Sequence, residues 1–143
     1  FCDFIYATPR SKFADPHVSV GLVAGDGGCV MWPQLIGYAR AKKYLLTGEV
    51  MLAQDALEMG LITEVIEEDQ IDAEVQQLAE KLRDGAKYAI RWTKTSINAG
   101  LKVMANSIID RAAAFENVTQ LMEDHKIALQ AFSDKEKPEF KQK

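Results

Sequence analysis

The chain has 143 residues, 48% of them apolar and 27% charged, with a formal net charge of −4. This is one globular domain's worth of sequence, and it excludes a disordered tract or a strongly basic nucleic-acid-binding face. No stretch approaches the roughly 18 to 20 consecutive apolar residues of a membrane span. Cys2 and Cys29 stand outside any CxxC or Cys/His spacing of a zinc site, and two scattered thiols fit a reducing compartment.

Phe1 to Ala7 form an apolar run predicted as a buried strand. A chain that opens on such a run without Met is expected to begin inside that strand, with further protein upstream. Ser11 to Ala14 are expected to be a short extended piece after the Pro9-Arg10 turn. His17 to Val23 alternate as a strand and run into a glycine-rich turn at Gly25-Asp26-Gly27-Gly28. From Gly27 the period becomes helical through Leu35, with Pro33 tolerable only in a first turn and Gly37 as the stop. Ala39 to Leu46 are predicted as a helix capped by Gly48, and Leu52 to Met59 as a helix stopped by Gly60. Leu61 to Ile66 read as a strand. Four helices are expected beyond Glu67-Glu68-Asp69. The first carries Ile71, Val75, Leu78, Ala79 and Leu82 and breaks near Gly85; the others are Ala86 to Ala99, Leu101 to about Glu123, and Asp124 to Ser133. The organisation predicted is an α/β part over 1–66 and a helical part over 67–143. Three or four short strands cannot complete a sheet alone, which again points to strands upstream.

The stretch from His17 to Gly28 carries the chemistry. A His beside a carboxylate can activate water as a general base while the carboxylate orients the ring. His17 and Asp26 bracket the predicted strand and turn, so both ends can fold toward one cleft. Asp26 reads equally as the N-cap of the following helix, and His17 as a half-exposed strand residue. The turn is neither a P-loop nor a GxGxxG dinucleotide fingerprint. His125 reads as a surface residue at a helix start, Trp32 and Trp92 as core or interface aromatics, and Met51, Met59, Met104 and Met122 as core filler.

Several segments, in order, resemble one family. They are Asp3-Phe4-Ile5-Tyr6-Ala7, Lys12-Phe13-Ala14-Asp15-Pro16, the Gly21 to Gly28 loop, Ala39 to Gly48, and Ala53-Gln54-Asp55-Ala56-Leu57-Glu58-Met59-Gly60-Leu61-Ile62. Thr93 to Asn98 and Ala131 to Phe140 continue the match. On these residues the chain is identified as similar to the crotonase superfamily, the enoyl-CoA hydratases and isomerases. The resemblance implies a spiral core of ββα units followed by C-terminal helices that build homo-trimers, often paired into hexamers. It implies an acyl-CoA substrate and an enolate held by two backbone amides, with CoA as part of the substrate and no separate cofactor or metal. Those amides and the first hydratase glutamate lie upstream of the strand at Phe1 in the family, so the fragment alone is expected to be inactive. A cytoplasmic location is the corresponding expectation.

The sequence departs from the hydratase pattern where the second catalytic glutamate should follow Pro16: that position is His17. Asp26 stands where hydratases carry a small residue, and Gly25 matches the glycine whose amide helps hold the catalytic water. One branch, the 6-oxocamphor hydrolase-type β-diketone hydrolases, resembles this arrangement, with a His and an Asp in this strand and loop and a Glu on a later helix. There, activated water attacks a carbonyl and a C–C bond breaks by a retro-Claisen step. Glu116 falls at the third position, although it reads equally as a solvated carboxylate on a helix whose apolar face is Ile108, Ala112, Phe115 and Thr119. Phe132 and Lys135 match positions that contact CoA, and Lys135 reads equally as a solvated side chain. Three functions therefore stand: an acyl-CoA hydratase/isomerase-type enzyme, a C–C hydrolase of a small diketone, and a non-catalytic copy acting in assembly.

Overall fold

The computed structural model describes residues 1–140. Its contacts group the chain into two compact units, Phe1–Phe13 with Leu52–Ser107, and Ala14–Met51 with the chain from Ile108 onward.

In the first unit, β1 (Tyr6–Ala7) pairs in parallel with β4 (Glu64–Val65), Tyr6 opposite Glu64 and Ala7 opposite Val65. The pairing is extended by the Thr63 amide, which donates to the Ile5 carbonyl at 2.8 Å. The Thr63 hydroxyl in turn accepts from the Ile5 amide at 2.9 Å. The strands predicted over 1–7 and 61–66 thus shrink to two residues each, since only those residues find a parallel partner among the described residues. In β2 (Lys12–Phe13) the extended piece survives, and the Ser11 carbonyl before it accepts from the Ala53 amide at 3.1 Å. After β3 (Met51–Leu52), α3 (Ala53–Met59) buries Ala53 and Ala56 and stops at Gly60, whose φ of +83° only glycine adopts without cost. In α4 (Ile71–Asp84), Asp72 and Glu74 sit in the first turn and Lys81 and Arg83 in the last, each charge matched to its end of the helix dipole.

The helix α5 (Lys87–Gln120) runs unbroken through Gly100, where the sequence predicted a stop. Gly100 has no positive φ and open space beside it. One such glycine costs about 1 kcal/mol relative to Ala, too little to interrupt a long run of helix-favouring neighbours. Trp92, Ile97 and Val103 along it are largely exposed.

In the second unit, α1 (Gly28–Ile36) and α2 (Tyr38–Thr47) pack together over Val30, Ile36, Ala41, Tyr44 and Leu45. Trp32 lies against Tyr44 with ring centroids 6.1 Å apart, a tilted pair typical of packed aromatics. Pro33 lies beyond the first turn of α1, against expectation; lacking an N–H, it forgoes the bond that would reach back to the Cys29 carbonyl. Of the predicted core methionines Met51 is fully buried, whereas Met122, just before α6 (Glu123–Asp134), is half exposed. Among the described residues, no helix is long and apolar enough to cross a membrane.

The strand predicted over His17–Val23 is instead a 3₁₀ turn, His17–Val20, closed by Gly21 at φ +69°. The cause is local. Asp15 accepts a hydrogen bond from the His17 amide at 3.3 Å, and the Ser19 amide donates to the Pro16 carbonyl at 2.9 Å. An Asp-Pro pair that starts a side-chain-closed turn overrides an alternating apolar pattern of only a few residues.

Candidate active site

The site belongs to the second unit and grows from the 3₁₀ turn. His17 Nδ1 lies 2.6 Å from Asp15 Oδ1. A carboxylate only accepts, so Nδ1 carries the proton and donates it to Asp15, and Nε2 faces the other way. On that side Asp26 Oδ2 stands 3.8 Å from Nε2 and Glu116 Oε1 3.7 Å. The structure therefore brings together the three residues that the resemblance assigned, and adds a fourth, Asp15, that the sequence reading passed over. Asp15 is only 9% exposed, Glu116 18% and Asp26 65%, so the imidazole is bounded by two sheltered carboxylates and one open to solvent.

Each member is positioned by backbone. Asp26 does not cap α1: the N-cap is Gly27, and no side-chain capping bond is made there. Freed from that role, Asp26 reaches toward Nε2. Glu116 lies on the covered face of α5 with Ala112 and Thr119, while Phe115, assigned to that face from the sequence, is 55% exposed. Residues four and three apart on a helix share a face, and the face that is covered is 112, 116 and 119. Thr119 ties this face to the loop, its hydroxyl accepting from the Val23 amide at 3.2 Å. Gly25 lets the loop meet α5 directly: a Cβ there would stand 2.4 Å from the Ala112 carbonyl oxygen and 2.7 Å from Glu116 Oε2. The Gly25 amide, which the resemblance gave to water, donates to the Val23 carbonyl at 2.8 Å.

His125 is half-buried rather than a plain surface residue, and its Nδ1 donates to the Val20 carbonyl at 2.7 Å. This ties the start of α6 to the end of the turn that carries His17. Phe132 and Lys135 lie toward the opposite end of α6, roughly 10 and 15 Å from His125 along the helix by its rise per residue. Phe132 is 81% exposed, and Lys135 caps the helix in the left-handed conformation at φ +58°.

The electrostatics follow from the geometry. Burial opposes a charge on His17, but the Asp15 hydrogen bond and the charges of Asp15, Asp26 and Glu116 outweigh it, holding the imidazole's pKa above its ordinary 6.5. Cys29, in the first turn of α1, is pushed up by its own burial and then by Asp15 and Asp26, so it is no ready nucleophile. Asp15, His17 and Asp26 offer atoms within 4.8 Å of one another, the donor types of a cation site. Two of those groups, however, are engaged with each other through the Nδ1–Oδ1 bond.

The fold and the site have counterparts among known proteins. The family model for enoyl-CoA hydratase/isomerase matches residues 1–143. A crotonyl-CoA hydratase of Syntrophomonas wolfei is 32% identical over 97% of this chain and 54% of its own length. The solved structure of an enoyl-CoA hydratase/isomerase from Pseudoalteromonas atlantica superimposes with a TM-score of 0.89 at 29% identity, covering 98% of this chain and 56% of that one. A β-diketone hydrolase from the cyanobacterium Anabaena, solved with (S)-3-oxocyclohexyl acetic acid bound, superimposes at 0.78 and 29% identity over 87% of this chain and 48% of its own. The chain thus has the crotonase fold, including its C-terminal helices, and it belongs to the enoyl-CoA hydratase/isomerase family. It spans about half the length of most of the curated relatives it matches.

Proposed function

We propose that the protein is an acid–base enzyme of this family acting on an acyl-CoA thioester, with His17 taking the proton from an attacking water. The observation that carries the reading is the direction of His17 Nε2, away from Asp15 and toward Asp26 and Glu116. A water donating to Nε2 at about 2.8 Å has one hydrogen left, and Asp26 and Glu116 are the acceptors on that side of the ring. One of the two carboxylates accepts that hydrogen and so orients the water, an arrangement suited to general-base catalysis. A thioester enolate is the charge that the fold's relatives imply as the intermediate, and Lys135 and Phe132 are the positions proposed to contact CoA.

A second reading is favoured by one specific observation. The convergence of Asp26 and Glu116 on one imidazole is what the β-diketone hydrolase branch implies, and a hydrolase of that kind is among the structural neighbours. Water would add to a ring carbonyl, and the adjacent C–C bond would break with the electron pair leaving as an enolate, protonated by His17 or Glu116. Trimer or hexamer formation through the C-terminal helices is part of the proposal, supported by the exposed apolar side chains of α5.

The test is to offer the full-length protein enoyl-CoA thioesters and cyclic β-diketones in ¹⁸O-labelled water and read the products by mass spectrometry. A labelled hydroxyacyl-CoA with an intact skeleton supports the first reading, and a labelled ring-opened keto acid the second. Loss of either product in His17→Ala, with the assembly state retained by sedimentation velocity, ties the chemistry to this site. Turnover that survives His17→Ala refutes both.

A further inference from the structure

We propose that Asp15 is a positioning residue of this site, holding His17 in the one tautomer and orientation that point a basic Nε2 at the reacting water. The proposal rests on the acid–base reading of His17 and deepens it. Asp15 is nearly buried, and it holds the histidine twice, accepting from the His17 amide at 3.3 Å and from Nδ1 at 2.6 Å. The two bonds fix both the turn that carries the ring and the ring's rotation. Asp26, by contrast, is largely exposed and lies 3.8 Å away on the Nε2 side, where water or substrate binds. The roles therefore divide. Asp15 acts on substrate only through His17, whereas Asp26 and Glu116 face the reacting atoms.

The second oxygen of Asp15 has its own seat. A Cβ placed on Gly28 would stand 2.1 Å from Asp15 Oδ2, so this carboxylate occupies the space that glycine leaves open at the start of α1. The outward amides and positive dipole end of a helix attract a carboxylate there. A helix start, a buried carboxylate and the imidazole thus stand in series. Such carboxylate–histidine pairs fix the tautomer and raise the basicity of the distal nitrogen. The charged groups facing His17 are Asp15 before the turn, Asp26 in the loop and Glu116 on α5.

The experiment uses the full-length protein and Asp15→Asn. The pH dependence of His17 modification by diethyl pyrocarbonate, followed by peptide mass spectrometry, reports the imidazole's titration without any substrate. In Asp15→Asn the midpoint is expected to fall toward or below 6.5, because a charge favouring the imidazolium is gone while burial remains. With whichever substrate class is turned over, kcat is expected to drop by up to about 10⁴-fold with KM changed little, the loss that follows when the carboxylate orienting a catalytic histidine in a Ser-His-Asp triad becomes an amide. A His17 titration unchanged in Asp15→Asn overturns the proposal, as does a lost KM with kcat retained. Should Asp15→Asn fail to fold, Gly28→Ala displaces the same carboxylate, and the same fall or constancy of the titration decides. Absence of turnover in the parent protein bears on the functional reading alone, since the titration stands without it.

Discussion

Substituting Gly25 by Ala inserts one methyl group where the loop carrying Asp26 meets α5. Three atoms stand in its way: the Ala112 carbonyl oxygen at 2.4 Å, Glu116 Oε2 at 2.7 Å and the Ala112 carbonyl carbon at 2.8 Å. The glutamate end can swing, but the Ala112 carbonyl is helix backbone. Opening 2.4 Å to the 3.4 Å of ordinary contact therefore requires the loop to move by about 1 Å. Overpacking of this kind costs about 1–3 kcal/mol of stability. A 1 Å misplacement of catalytic groups costs about 100-fold in rate. The expected result in the full-length protein is a urea midpoint lowered by that energy with the slope m unchanged, and kcat down about 100-fold. A control separates the two contacts. In a Glu116→Ala background the stability loss persists, since the carbonyl remains, while the further loss of kcat on adding Gly25→Ala shrinks. Stability within about 0.5 kcal/mol of the parent, with kcat unchanged, would refute the close approach of this loop to α5.

Other outcomes follow from the same geometry. Because the folded-state pKa of His17 is raised, its stabilising contribution is fully present below the unfolded value of about 6.5 and is lost as pH rises through the folded value. The stability advantage of the parent over His17→Gln, measured by urea unfolding, is thus expected to be larger at pH 5.5 than at pH 8.5; the opposite slope would contradict the raised pKa. With His17 in its proposed role of general base, kcat/KM is expected to rise with pH through an acid limb above 6.5, and Glu116→Gln moves that limb to lower pH. Lys135→Gly relieves a left-handed non-glycine residue and is expected to stabilise the protein by about 1 kcal/mol, whereas Lys135→Ala gives no such gain. If CoA is the ligand, both substitutions raise KM, and increasing salt narrows the difference from the parent; a diketone substrate leaves KM untouched.

The helical elements that end in a left-handed glycine were legible, since Gly48 and Gly60 stop α2 and α3 where the sequence places them. Elements read from a short alternation or a lone glycine were not. The alternation of His17 to Val23 has the right residues for a strand, yet the Asp15-Pro16 turn closes first. Gly100 reads as a stop but has helical backbone, and nothing in its neighbourhood forces another conformation. The convergence of His17, Asp26 and Glu116 was implied by family resemblance, not by spacing, because residues a hundred positions apart leave no periodic signal. Asp15 did leave one. An Asp two residues before a His, with Pro between, is the signature of a side-chain-closed turn, and the sequence reading gave Asp15 no role of its own. The placing of Phe115 on the covered face of α5 rested on hydrophobicity, which α5 inverts where it shelters the Glu116 carboxylate instead.

A Cβ on Gly25 or Gly21 would meet main chain, the Ala112 carbonyl oxygen at 2.4 Å or the His125 nitrogen at 2.8 Å, so the wall behind the Asp26 loop and the end of the His17 turn is helix backbone. Main chain has no rotamers to rearrange. Such a wall offers selection few gradual steps, because each enlargement evicts a carboxylate, a helix carbonyl or the start of α6 outright. Diversification of this lineage toward new substrates is therefore expected to run through replacements at the side chains on the Nε2 side, with positions 15 and 28 changing only as a pair.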